Sequence, residues 1–224
     1  MASPTKERVN LMTFIETVPP ADAHDALREM YLRQQSAWGY VPNYAKAFCY
    51  RPTVMARWAQ LLAEIKRPMS KRRFELVTFV TAHELRHSAC ALAHGRALRE
   101  FFSDEQIVAI AEGRLAGVLD EGEQCMVRFA RQIASDASSV NETHVASLKQ
   151  HGYSDAEVFD IAAAAAGRAF FTKLLDGLGV LPDSTLLAGN EMFRRTLTVG
   201  RAIDSAECVT LPTVEPTHSP WESG

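Results

Sequence analysis

Between positions 83 and 94 the chain reads His83-Glu84-Leu85-Arg86-His87-Ser88-Ala89-Cys90-Ala91-Leu92-Ala93-His94, gathering three of its seven histidines and one of its four cysteines. At about 100° per residue, His83, His87, Cys90 and His94 fall within roughly 60° of one another on a continuous helix. Glu75 lies near the edge of the same stripe, among the apolar residues Leu76, Val77, Phe79 and Val80. Core packing does not ask for a face of titratable groups in such surroundings. This face is the candidate site, and its residue types admit three readings.

In the first reading the four groups are satisfied polar residues at a helix junction of a catalytically inactive, oligomeric helical protein. A lone buried histidine fits that description, but four groups in register count against it. In the second, His83-Glu84-Leu85-Arg86-His87 is an HExxH metal motif, with two imidazoles on adjacent turns and a glutamate placed to activate a zinc-bound water. The third histidine of the longer motif is missing, because position 93 is Ala93 and His94 comes one residue late. A metal held here would take its ligands from His83, His87, Cys90 and His94. In the third reading Cys90 is a reactive thiol. His94, one helical turn on, can take or share its proton, and Glu75 can orient that imidazole and relay protons. A helix beginning near Ser88 would put Cys90 in a first turn, where the macrodipole favours thiolate. A thiolate attacking a peroxide oxygen becomes a sulfenic acid, which a second thiol must reduce. No GxGxxG after a strand and no P-loop is present, so no cofactor is expected.

Glu75, His87, Cys90 and His94 together resemble the Glu…CxxCxxxH pattern of the alkyl hydroperoxidase D (AhpD) and carboxymuconolactone decarboxylase superfamily, with His87 at the first cysteine position. Phe14-Ile15, Trp38-Gly39-Tyr40-Val41-Pro42-Asn43, Arg51-Pro52, the Ser103 to Ile107 segment and Leu181-Pro182-Asp183 are similar to landmarks of its longer, peroxidase-related branch. The resemblance implies an AhpD-like fold and a peroxidase-like oxidoreductase acting on small hydroperoxides. It implies Cys90 as the attacking thiol, His94 as its base, and Glu75 with His87 as proton relay and hydrogen-bonding shell. Without a first motif cysteine, turnover would need an external thiol reductant. The superfamily equally includes cofactor-free decarboxylases and lactone-transforming enzymes that lack the cysteine pair. Its members assemble as trimers or hexamers, so a homo-oligomer is expected. In the family the glutamate ends one helix, a short break follows, and the cysteine motif opens the next. Where the family often has Asn-Gly at that break, this chain has Leu85-Arg86, which leaves the form of the break open.

The elements that must position these residues read as all-α, in one domain of about eight helices over residues 1–199, with an extended Pro-rich tail over 200–224. Helices are expected from about Asp22 to Gly39, from Thr53 to Lys66, and from about Lys71 behind a Ser70 cap. Ser103 to Gln106 and Ser154 to Glu157 read as capping boxes, and Asp120 to Glu123 as an Asp version. The Ala162 to Ala166 run reads as tightly packed core, and a last short helix is expected around Asn190 to Leu197.

The 224 residues carry a formal net charge of −3 and no extended basic run, so nucleic acid is not an expected partner. The longest apolar stretch, Ile161 to Ala166, is too short to span a bilayer, and Met1 to Arg8 contains no apolar signal region. Cys49, Cys125 and Cys208 are scattered, without a CxxC pair, and read as small buried hydrophobes. Reduced thiols in a cytoplasm are the corresponding expectation. The tail, with Pro212, Pro216 and Pro220, is expected to wrap a neighbouring subunit.

Overall fold

A helix buried on every side has to be surrounded, and every residue from Phe74 to Ala82 is buried. In the computed structural model, which describes residues 12–203, this stretch lies at the centre of a helical bundle. The described residues form ten α-helices: α1 (Asp25–Trp38), α2 (Asn43–Ala47), α3 (Pro52–Lys66), α4 (Lys71–Glu84), α5 (Ser88–Ala97), α6 (Asp104–Ala111), α7 (Glu121–Asp136), α8 (Glu142–Gln150), α9 (Asp155–Gly177) and α10 (Glu191–Leu197). The central α4 packs against α5, α7 and α9, and α3 lies against α9. No strand forms among the described residues, and none of their helices is long and apolar enough to cross a membrane.

The helix ends follow from local chemistry. Ser70 Oγ accepts the Arg73 N–H and starts α4, while reciprocal capping boxes of Ser103 with Gln106 and Ser154 with Glu157 start α6 and α9. Asp120 caps α7 through the Glu123 N–H. Gly39 ends α1 in the left-handed conformation, at φ 78°, which glycine adopts without steric cost. Periodicity alone does not separate α2 and α8, and these two take the count from about eight to ten. The α8 start is a capping box in which a histidine, His144, takes the place usually held by Glu or Gln.

Two segments distant in sequence are stitched together beside this bundle. The Asn43 N–H donates to Asp183 Oδ1 at 2.9 Å, and Asn43 Nδ2 donates to the Leu181 carbonyl at 3.3 Å. These bonds tie the Trp38 to Asn43 landmark to Leu181-Pro182-Asp183. At the other end of the chain α10 lies on α5 and α6. Gly95 makes that contact, because a Cβ there would stand 2.6 Å from Leu197 Cδ1. Beyond α10 the backbone turns back, and the Gly200 N–H donates to Ser88 Oγ at 2.9 Å. Cys208 and the prolines of the expected tail lie outside the described residues.

Burial pushes the Asp183 carboxyl up to about 6, although the Asn43 N–H and the Lys46 charge oppose the shift. A carboxyl whose pKa is higher folded than unfolded binds protons on folding, so its contribution to stability is full below about pH 4 and is lost as pH rises from there to about 6. Asp183→Asn keeps an acceptor for Asn43 but cannot ionise. The melting temperature of this variant, measured against wild type from pH 4 to pH 7, should gain steadily on wild type as pH rises.

Candidate active site

The site is built around the junction of α4 and α5. The Leu85 and Arg86 N–H groups close α4 onto the carbonyls of Thr81 and His83. Arg86 then takes a left-handed backbone conformation, φ 58°, where the related pattern often carries glycine. A non-glycine residue there costs about 1–2 kcal/mol. The break expected from the resemblance is therefore present, with Arg86 doing without glycine's freedom. His87 becomes the N-cap of α5, its Nδ1 accepting the Cys90 N–H at 3.1 Å. Cys90 is the third residue of α5, in the turn where helix N–H groups and the macrodipole favour a negative sulfur.

Three helices bring their side chains together here. From α4 comes Glu75, from α5 come Cys90 and His94, and from α9 comes Arg168; all four are buried, as is His87. His94 Nδ1 and Glu75 Oε2 are 2.7 Å apart, with Thr78 Oγ1 at 3.4 Å from the same nitrogen. Arg168 Nη1 points at Cys90 Sγ from 3.6 Å. The guanidinium lies over the rings of Trp58 and Phe171, 5.8 and 5.7 Å from their centroids, and those two rings stack at 4.3 Å.

The charges of the cluster follow from these contacts. Burial on its own would raise the Cys90 thiol, but His87 and Arg168 together draw it below its ordinary value. Burial opposes a charged His87 in turn, yet the neighbouring sulfur and Asp176 lift this imidazole above the usual histidine range. Opposite shifts of this kind bring a thiol and an imidazole closer to sharing a proton. At the second pair, burial would raise Glu75, but His94, with Lys66 and Arg168 assisting, holds the carboxyl below its ordinary value. Burial and the Arg168 charge push His94 down, and Glu75 only partly offsets them. A carboxylate can only accept, so His94 Nδ1 carries a proton and Nε2 keeps its lone pair.

The sequence-based site residues are thus divided between two contacts. Glu75 and His94 form one hydrogen-bonded pair. His87 and Cys90 form the other, with Cys90 and His94 one turn apart on α5. His83 is not with them. It ends α4 on the far side of the break, near the Phe79 ring and the Thr196 backbone, and burial with Arg131 lowers its pKa. The HExxH reading required His83 and His87 on consecutive turns of one helix, and the left-handed Arg86 removes that continuity. Among the described residues no three His, Cys, Asp or Glu side chains converge to hold a metal, so the set His83, His87, Cys90 and His94 is not assembled. Cys49 is buried elsewhere, and Cys125 pairs with Ser147 Oγ at 3.2 Å.

Arg168 is the residue that sequence reasoning missed, by treating its helix as plain core. The signal was there. Ile161, Ala164, Ala165, Arg168 and Thr172 lie on one buried stripe of α9, and a single charge on such a stripe calls for a partner.

No protein-family model matches the sequence, and a search of curated proteins finds no match. Among solved structures, a peroxidase-related protein from Ralstonia eutropha JMP134 with an alkylhydroperoxidase AhpD core is similar at TM-score 0.67 and 22% identity, over 85% of this chain and 98% of that one. The chain has the AhpD-like fold. A peroxidase-related protein from Silicibacter sp. TM1040 is similar at TM-score 0.67 and 21% identity, over 82% and 97% of the two chains. The debrominase Bmp8, in complex with 2,3,4-tribromopyrrole, is similar at TM-score 0.63 and 16% identity, over 84% and 95%. In this version of the AhpD-like fold, the titratable side chains sit where the central helix, the helix after the break and the long α9 meet.

Two measurements test the description. The rate of Cys90 alkylation by iodoacetamide, followed by peptide mass across pH, should reach half its maximum below about 8.5, the ordinary thiol value. In His87→Asn, which keeps an N-cap acceptor but has no imidazole, that midpoint should move up. At Gly200 a Cβ would stand 1.8 Å from the Arg86 carbonyl oxygen, a backbone atom that cannot step aside. Thermal unfolding of Gly200→Ala should show a loss of about 1–3 kcal/mol, typical of forced overpacking.

Proposed function

We propose that the protein is a thiol-dependent oxidoreductase that reduces small hydroperoxides through Cys90. The observation that carries the reading is the placement of Cys90 Sγ at the start of α5, 3.6 Å from the buried Arg168 guanidinium and paired with His87. Burial alone would keep this sulfur protonated; its surroundings instead favour the nucleophilic thiolate.

In the proposed reaction the thiol proton passes to the imidazoles, with His94 Nε2 as base and Glu75 holding the resulting positive charge. The sulfur attacks the distal peroxide oxygen, so an S–O bond forms, the O–O bond breaks, and an alkoxide leaves. The proton taken from the thiol returns to that alkoxide and gives the alcohol, while Cys90 becomes a sulfenic acid. An external thiol then condenses with it, releasing water and leaving a mixed disulfide. A second thiol frees Cys90 as an external disulfide departs. His87 supports the first step by capping α5, and Arg168 donates to the sulfur.

The likeness to a debrominase favours a second reading with the same nucleophile. The Cys90 sulfur would take bromine from a halogenated heterocycle, forming S–Br as C–Br breaks, and the ring carbon would take the proton. Two external thiols would then return Cys90 to the thiol and release bromide.

Hydroperoxide consumption in the presence of several external thiols tests the first reading, and bromide release from 2,3,4-tribromopyrrole tests the second. Cys90→Ser should lose about a thousandfold or more of whichever activity is present, as expected when a nucleophile is removed. Equal activity in Cys90→Ser and wild type would sink both. Glu75→Gln should lower kcat by about 10²-fold, the lower end of what a general acid–base group contributes, and should move the acidic limb of the pH profile.

A further inference from the structure

The outer side of α9 has the pattern of a packed seam, although nothing in the single chain covers it. Phe159, Ala163, Ala166, Phe170 and Lys173 follow one another at intervals of four, three, four and three. At about 100° per residue they form one stripe, on the side of the helix opposite the buried Arg168 and Thr172. All five are exposed or half-buried, Phe159 at 70% and Phe170 at 46%. The neighbouring α3 widens this face. Its Trp58 Nε1 donates to the Gly167 carbonyl at 3.4 Å, and Val54 and Leu61, on the same stripe of α3 as Trp58, are 41% and 56% exposed.

Single apolar side chains on a surface are ordinary, whereas a continuous apolar face marks a contact. At about 1.5 Å of rise per residue and about 10 Å of width per helix, the 23 residues of α9 and the 15 of α3 present roughly 600 Å². That is the lower edge of what a specific interface takes from each partner.

The face is complementary to a reversed copy of itself. Setting Phe159 opposite Phe170 of a second, antiparallel α9 also sets Ala163 opposite Ala166. The small residues then let the helix axes close at the centre, and the rings fill both ends. The same register brings Lys173 across from Ala156, next to Asp155 of the second copy. Asp155 pairs with Lys149 at 2.6 Å, yet its side chain is 81% exposed, which leaves it open to another cation. A parallel pairing would instead set Lys173 against Lys173 and align the two helix dipoles unfavourably.

We propose that α9 is the centre of a two-fold interface between two copies of this chain. The helices pack antiparallel through Phe159, Ala163, Ala166 and Phe170, with Val54 and Leu61 at the flank and a Lys173–Asp155 contact at each end. Such a contact belongs to a dimer or, with a further interface, to a hexamer, and it is absent from a trimer. The Cys90 cluster lies on the other side of α9, so the interface stands whichever reaction Cys90 performs.

Sedimentation equilibrium of the full chain at micromolar concentration should give an even multiple of 24.8 kDa. Phe170→Asp should weaken the association about a hundredfold or more, because each two-fold contact loses two aromatic anchors. Lys173→Asp should weaken it about tenfold, since acid then faces acid at both ends, and adding Asp155→Lys in the same chain should restore most of the loss. Circular dichroism should show that each variant keeps its helix content.

A monomer, a trimer, or an even assembly that Phe170→Asp leaves intact would overturn the inference. A monomer would leave residues 204–224 or an unrelated protein as the cover of this face. If Phe170→Asp does not fold, the charge pair decides. A double variant that associates no better than Lys173→Asp alone would sink the antiparallel register.

Discussion

A positive charge held inside a helical bundle must be answered by negative charge or by hydrogen-bond acceptors, and Arg168 sets that demand here. Its long stem reaches from α9 into the space between α4 and α5, and its planar group rests on stacked aromatic rings. The group hydrogen-bonded to it is a sulfur that gains from becoming an anion. The same guanidinium bears on Glu75, His87 and His94 as well, depressing the pKa of His94 and favouring the charged carboxylate. One buried cation thus lowers the cost of a thiolate and keeps an imidazole neutral a turn away. Remove it, and His87 alone would be left to oppose the effect of burial on the thiol.

The break between α4 and α5 is the second constraint. A continuous helix would put His83, His87, Cys90 and His94 on one face, the arrangement of a metal site. Arg86 in a left-handed conformation instead starts a new helix at Ser88. That sends His83 toward α10 and makes His87 a cap. A neutral histidine in this place accepts the Cys90 N–H through Nδ1, and a protonated one gives up that cap and draws the Cys90 sulfur toward thiolate. The cost of Arg86 is met next to the close approach of Gly200, whose N–H bonds Ser88 at the first turn of α5. The residues after α10 therefore brace the turn that carries Cys90.

Much of the architecture was legible in the residues. Capping serines and aspartates with their partners three residues on mark the starts of α4, α6, α7 and α9, because these bonds are local and depend on spacing alone. α8 was not legible, since His144 completes its box in place of an acid or amide. The Glu75, His87, Cys90 and His94 set was also visible as a stripe, and its likeness to a known pattern pointed to the AhpD-like fold.

What the sequence by itself determined was therefore the helical class, most of the helix starts, and the identity of the four motif side chains. These follow from contacts within about a turn of each residue. How those side chains pair was decided by tertiary structure alone. The partner of the thiol comes from residue 168, a distance along the chain that no local spacing encodes, and the pairing of His94 with Glu75 depends on α4 and α5 folding back on each other across the break. Charge on a buried group is set by everything within several ångströms in three dimensions, so the chemistry of Cys90 could be read only once α9 had been packed against it.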